Sequence, residues 1–131
     1  MKYLPVLPAV LLACSLSSSQ TIDIAVGNLQ SQGAMLSSLS GEKVSRIDSI
    51  RGVGGRFSFS VKLKLTHEGM YRLTFDRGRW VDFLFDGADV RLTTDASNIL
   101  DSLKVEASEG NRQYYEFVRL NKTYKAKSEL L

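Results

Sequence analysis

The sequence predicts an all-β domain: an antiparallel β-sandwich or barrel-like body with a C-terminal α-helix, preceded by a signal peptide. Three observations carry this. Apolar and polar residues alternate in many short runs separated by turn residues. The period of two gives way to a helical one after Ser108, and the chain opens with an uncharged apolar run behind a single lysine. No strand-helix-strand alternation of the kind a parallel dinucleotide-binding sheet needs is visible. The 131 residues, 44% hydrophobic and 24% charged with only 2 prolines, fit one ordinary globular domain.

The leader comes first in the chain. Lys2 supplies its charge, and Leu4 to Leu16 carries none. A membrane-spanning helix needs roughly 20 apolar residues. This run is shorter and holds Pro5 and Pro8, so it reads as an export address. Two processing sites compete. Leu11-Leu12-Ala13-Cys14 matches a bacterial lipobox, which would remove residues 1–13 and lipidate Cys14, leaving Ser15 to Thr21 as a polar tether. Ser19-Gln20 matches an ordinary signal-peptidase junction, which would remove residues 1–19 and leave Cys14 a small apolar member of the leader. Cys14 is the sole cysteine, so the folded body (20–108) and the helix after it (109–131) have no internal disulfide and no thiol chemistry of their own.

The clearest strand is Arg56 to Leu65. It sets Phe57, Phe59, Val61, Leu63 and Leu65 on one face and Arg56, Ser58, Ser60, Lys62 and Lys64 on the other. A one-residue slip would expose all five apolar side chains, each contributing about 1.5 to 3 kcal/mol when buried. Shorter alternations mark Ile22 to Val26, Gly69 to Phe75, Trp80 to Phe85, Asp89 to Thr93 and Leu103 to Ala107, with weaker ones at Ala34 to Leu39 and Val44 to Ile50. Ser40-Gly41, Gly52-Val53-Gly54-Gly55, His67-Glu68-Gly69, Asp76-Arg77-Gly78 and Asp86-Gly87 supply the turns.

From Asn111 a helix is expected, with Ser108 as N-cap and a stripe of Tyr114, Phe117, Val118, Leu120, Tyr124 and Leu131. Arg112, Arg119, Lys122, Lys125 and Lys127 outnumber Glu116 and Glu129, a solvated basic face that could also meet an acidic partner or anionic lipid.

Reactive groups are scarce. With a net charge of +3 the chain is no dedicated nucleic-acid binder, despite a pI near 9.1. His67 is the sole histidine, set in a turn, so neither a zinc site nor a Ser-His-Asp constellation is expected. Asp82, Asp86, Asp89 and Asp95 are the densest carboxylates, and an enzyme built on Asp82, Asp86 or Asp89 would need them to converge. The alternation instead puts Asp82 and Asp89 on strand surfaces, Asp86 in a turn and Asp95 at a strand end. Arg51-Gly52-Val53-Gly54-Gly55-Arg56 leads into a strand, which makes it a flexible hairpin connection and not a phosphate loop. Trp80, with Tyr71, Phe83 and Phe85, reads as core packing or, alternatively, as a sugar-stacking platform. Asn121-Lys122-Thr123 matches an N-glycosylation sequon, while Asp48-Ser49-Ile50 and Asp101-Ser102-Leu103 look like a short O-glycosylation signal of Gram-negative envelope proteins.

Gly55-Arg56-Phe57-Ser58-Phe59, Gly69-Met70-Tyr71-Arg72-Leu73, Phe83 through Asp95, and Ser108 to Phe117 with Asn111, Tyr114 and Phe117 at three-residue steps follow one another in an order that resembles a known family. It is the domain of unknown function at the N-terminus of many AhpC/TSA and TlpA-like thiol-disulfide oxidoreductases, often lipoproteins, of Gram-negative bacteria. The likeness runs from about Thr21 to the last residue. It implies a β-sandwich-like accessory domain followed by a helical connector and a thioredoxin-like domain carrying Cys-x-x-Cys. The chain stops inside what resembles the connector, before any such domain. The likeness supplies no catalytic residue, and it implies packing roles for Phe57, Phe59, Tyr71, Leu73, Phe85, Leu92, Tyr114 and Phe117.

The expected function is therefore a non-catalytic accessory or interaction domain of the envelope, in the periplasm or at the outer membrane. It would act on a protein partner or a covalently linked thioredoxin-like domain through Tyr114, Phe117 and Tyr124, and would reach the membrane by a lipid anchor if Cys14 is processed. No cofactor, metal or catalytic residue is expected. The alternative is a glycan or small-ligand binding module centred on Trp80.

Overall fold

A computed structural model of the chain describes residues 20–129. The leader, Cys14 and Leu131 lie outside the described residues. In order, the elements are β1 (Thr21–Gly27), β2 (Gly33–Ser40), β3 (Lys43–Arg51), β4 (Arg56–Ser60), α1 (Val61–Lys64), β5 (Gly69–Asp76), β6 (Arg79–Phe85), β7 (Val90–Asp95), α2 (Ile99–Ser102), β8 (Lys104–Ala107) and α3 (Glu109–Glu129). The protein is mostly β, with two sheets and a C-terminal helix. One sheet has the order β4-β1-β7-β8, the other β3-β2-β5-β6.

Alternation builds each sheet with one oily face. Ile22, Ile24 and Val26 of β1, Phe57 and Phe59 of β4, and Val90 and Leu92 of β7 are buried in a single cluster with Leu36, Tyr71, Leu73, Phe75, Val81, Phe83 and Phe85 of the other sheet. Phe57 and Phe75, one from each sheet, bring their rings to 5.3 Å.

Three expectations need correction. The body is not wholly antiparallel: β1 runs parallel to β7, from Ile22 opposite Val90 to Gly27 opposite Asp95. Periodicity tells which face of a strand is buried but not which strand lies beside it. A parallel neighbour needs a long crossover, here β2 to β6, which holds the whole of the second sheet together with β4.

The stretch from Arg56 to Leu65 is also not one strand. β4 is an edge strand whose ladder with β1 ends at Ser60 opposite Thr21, where Gln20 O accepts the Val61 N–H at 3.0 Å. The chain then takes one helical turn, closed by Leu65 N–H to Val61 O at 2.8 Å. Four residues apart, Val61 and Leu65 share a buried side, while Leu63 is turned out and 79% exposed.

The glycine loop is, third, a fixed link between the sheets. Val53 and Arg56 exchange backbone hydrogen bonds of 3.0 and 3.1 Å, with Gly54 and Gly55 at φ 60° and 81°, the geometry of a tight hairpin turn. Val26 N–H donates to Gly55 O at 2.8 Å, and a Cβ on Gly55 would fall onto the Val26 carbonyl oxygen. A Cβ on Gly52 would come within 2.5 Å of the Phe57 ring. These glycines permit close packing.

Candidate functional site

β6 is the edge strand on which α3 rests, and an edge strand presents backbone groups that need partners. Asn111 supplies them. Fully buried, its carboxamide oxygen accepts the Leu84 N–H at 2.7 Å and its Nδ2 donates to Leu84 O at 2.7 Å, a side chain standing where a neighbouring strand would exchange two bonds. Nδ2 also donates to Ser108 Oγ at 2.9 Å. Ser108 is the N-cap as expected: its Oγ accepts the Asn111 N–H at 3.2 Å and its carbonyl the Arg112 N–H at 3.1 Å. One turn on, the buried Tyr115 donates its hydroxyl to Asp82 O, and Arg119 donates to Leu103 O. Burial, reinforced by the nearby Asp82 carboxylate, pushes the Tyr115 phenol far above its ordinary 10.0.

The sealing face of α3 is thus Asn111, Tyr115 and Arg119, at steps of four. Sequence reasoning singled out none of the three as an anchor. The signal that could have found them is that spacing, with a strand-mimicking carboxamide at its head.

The expected stripe splits. Tyr114 and Val118 are half-buried against the body, whereas Phe117, Leu120 and Tyr124 are 65%, 68% and 72% exposed. The packing role implied for Phe117 is therefore overturned, and of the three expected contact residues Tyr114 is packed on the body while Phe117 and Tyr124 stand in the open. Residues 121–127 are exposed on every side, so the helix leaves the body after its first three turns. Lys122 meets Asp101 at 3.3 Å on the surface.

Trp80 is not core. Alternation along β6 buries Val81, Phe83 and Phe85 and turns Trp80 and Asp82 outward, which separates Trp80 from Tyr71 and Phe83, stacked inside at 5.8 Å. Trp80 is 41% exposed, with the Arg72 guanidinium 4.5 Å from its ring centre. Asp82 fixes that guanidinium with bonds of 2.7 and 3.1 Å. Between the outer face of β6, α2 and α3 lies a groove of about 240 Å³, lined by Trp80 and Tyr114 and by Ile99, Leu100, Leu103 and Val118. Burial is also the main reason the Tyr114 phenol is raised, with the Asp82 charge adding to it.

The other candidates stay apart. Asp82 is paired to Arg72, Asp86 sits beyond β6, and Asp89 accepts the Thr21 N–H at 2.9 Å. Asp95 accepts bonds from Ser97 Oγ and N–H and from Asn28, which hold its carboxyl below the usual range. His67 lies in a loop, with Nδ1 2.9 Å from Thr66 Oγ1 and its carbonyl taking the Tyr71 hydroxyl. Arg56, one of the two guanidinium groups flanking the glycine loop, is engaged by Asp23 at 3.0 Å. Ser49 is exposed on β3, Ser102 half-buried at the end of α2, and Asn121 exposed on α3. Among the described residues no three His, Cys, Asp or Glu side chains gather as a metal set, and no helix is long and apolar enough to cross a membrane. Comparison with family models, with curated proteins and with solved structures finds no match for this chain.

Proposed function

We propose that this chain is a non-catalytic accessory module of the bacterial cell envelope. In this reading its two sheets form a β-sandwich, and α3 connects it to, or docks it on, a thioredoxin-like domain or a separate thiol-disulfide exchange protein. The observation that carries the reading is the division of labour along α3. Its first turns are fastened to β6 by Asn111 and Tyr115, while Phe117, Leu120 and Tyr124 form a ridge with nothing over it among the described residues. A helix of this length in water owes its stability mostly to packing, and clustered exposed aromatics mark contact surfaces. Export supports the same reading through the leader alone, with Cys14 as the residue to be lipidated and the periplasm or outer membrane as destination.

The test is a double variant, Phe117→Ser with Tyr124→Ser, used beside the parent protein as bait in envelope extract. The parent is expected to retain a protein bearing Cys-x-x-Cys, and the variant to retain it about tenfold less or worse, because each aromatic anchor is worth on the order of 1 to 2 kcal/mol. Both baits should melt alike, since neither side chain is in the core. Equal retention by both, or retention only of proteins without the motif, sinks the proposal.

A second reading, a glycan or small-ligand module, is favoured by one observation: Trp80 is exposed and lines the groove together with Tyr114.

A further inference from the structure

We propose that the groove between β6, α2 and α3 is a binding site for an uncharged aromatic ring. Charge, polarity and size each narrow the ligand. The groove's carboxylate, Asp82, is engaged by the two bonds from Arg72, whose guanidinium also covers Trp80. A charged ligand would lose its water and find no free counter-ion. The Tyr115 hydroxyl is engaged by the Asp82 carbonyl, which leaves the Tyr114 hydroxyl and the Trp80 indole N–H as the polar side-chain groups of the lining. A pyranose carries hydroxyls around its whole rim and needs more convergent partners than two. The rest of the wall is aliphatic, from Ile99, Leu100, Leu103 and Val118.

The volume, about 240 Å³, lies under the roughly 300 to 1,000 Å³ typical of sites for larger ligands. One ring fits; an extended molecule does not. Aromatic walls favour a ring through offset or edge-on contact, with Tyr114 able to orient a single polar substituent. The same chemistry arrives either as a free small aromatic molecule or as the ring of a phenylalanine in an extended peptide.

Trp80 is the sole tryptophan of the chain and so reports on its own groove. The purified protein is titrated with benzyl alcohol for the free source, N-acetyl-phenylalaninamide for the peptide source, and benzoate and methyl glucoside as charged and sugar contrasts. A saturable change in tryptophan emission at millimolar concentration is expected from at least one of the first two. The contrasts should be weaker by about tenfold, which is about 1.4 kcal/mol. Comparable affinity for the first two assigns the site to a free ring, and about tenfold tighter binding of the amide assigns it to a peptide side chain. Val118→Phe, which fills the groove from α3, should weaken binding about tenfold or more. If that variant does not fold, the methyl resonances of Ile99 and Leu100 in the unaltered protein must shift on adding benzyl alcohol. No saturation by either ring probe, unmoved methyl resonances, or glucoside binding as tightly as benzyl alcohol overturns the proposal. Because no redox partner enters the experiment, its failure leaves the accessory-module reading standing.

Discussion

Asn111 shows how one side chain can replace a strand. Its carboxamide holds both a donor and an acceptor at 2.7 Å from the backbone of Leu84, and it is fully buried. Asn111→Leu fills similar volume but strands a buried N–H and a buried carbonyl. Each such group costs about 1 to 3 kcal/mol, so a loss of about 2 to 6 kcal/mol is expected from the urea midpoint. Asn111→Asp should fall between, since it keeps an acceptor for the Leu84 N–H and sets a carboxylate against the Leu84 carbonyl. A leucine variant within about 0.5 kcal/mol of the parent would show that the edge is not held this way. The sequence did not disclose this. An asparagine in a helix otherwise reads as a solvated or capping residue, and only its place four residues ahead of a buried tyrosine distinguishes it. The outward turn of Trp80, by contrast, was available from parity alone, because Val81, Phe83 and Phe85 occupy the opposite face of the same strand.

At the scale of elements, the strands were legible and their neighbours were not. A buried face repeating every second residue marks β1, β5 and β6 directly, since Ile22, Tyr71 and Phe83 each stand two residues from another core side chain. The break after Ser60 could not be read, because Leu63 continues the pattern and is turned away only where the ladder with β1 ends. Nor could the rigidity of the loop before β4, where glycine serves two different ends. Gly54 needs only its positive φ, with nothing within 4 Å of where a Cβ would stand, whereas Gly55 combines φ 81° with the Val26 carbonyl at its back. Gly54→Ala should therefore cost about 1 kcal/mol, the usual penalty for a left-handed backbone. Gly55→Ala should cost at least about 2 kcal/mol more, because β4 must shift to admit a methyl group. Thermal or urea unfolding of the two variants side by side checks the contrast. Equal losses would mean that the loop is free of the β1 backbone.

For the molecule as a whole, the sequence disclosed two chemistries that divide the pH scale, a set of surface carboxylates and a set of tyrosines, though not which tyrosine would be sealed. Hydrogen bonds from Lys64, Arg79, Ser97 and Lys122 hold Asp48, Asp76, Asp95 and Asp101 below their ordinary 3.8. Their stabilisation is present above that value and is lost as pH falls through the lower folded values, so the acid limb belongs to the surface. The alkaline limb belongs to the joint between helix and sheet. Burial raises Tyr115 far above 10.0, and a group raised on folding contributes stability that is complete below its unfolded value and lost as pH climbs past it. Between pH 10 and the folded value the unfolded chain releases a proton that the folded one keeps. Tyr115 alone should then cost up to about 1.4 kcal/mol per pH unit. Tyr115→Phe removes that dependence, with a loss of about 1 kcal/mol at neutral pH for the bond to the Asp82 carbonyl. Stability of parent and variant measured by urea unfolding between pH 9 and 11 should converge as pH rises, because Tyr71 and Tyr114 titrate in both while Tyr115 titrates only in the parent. Parallel curves would mean that α3 has already left β6 before the phenol ionises, and that the joint does not fold and unfold with the sheets.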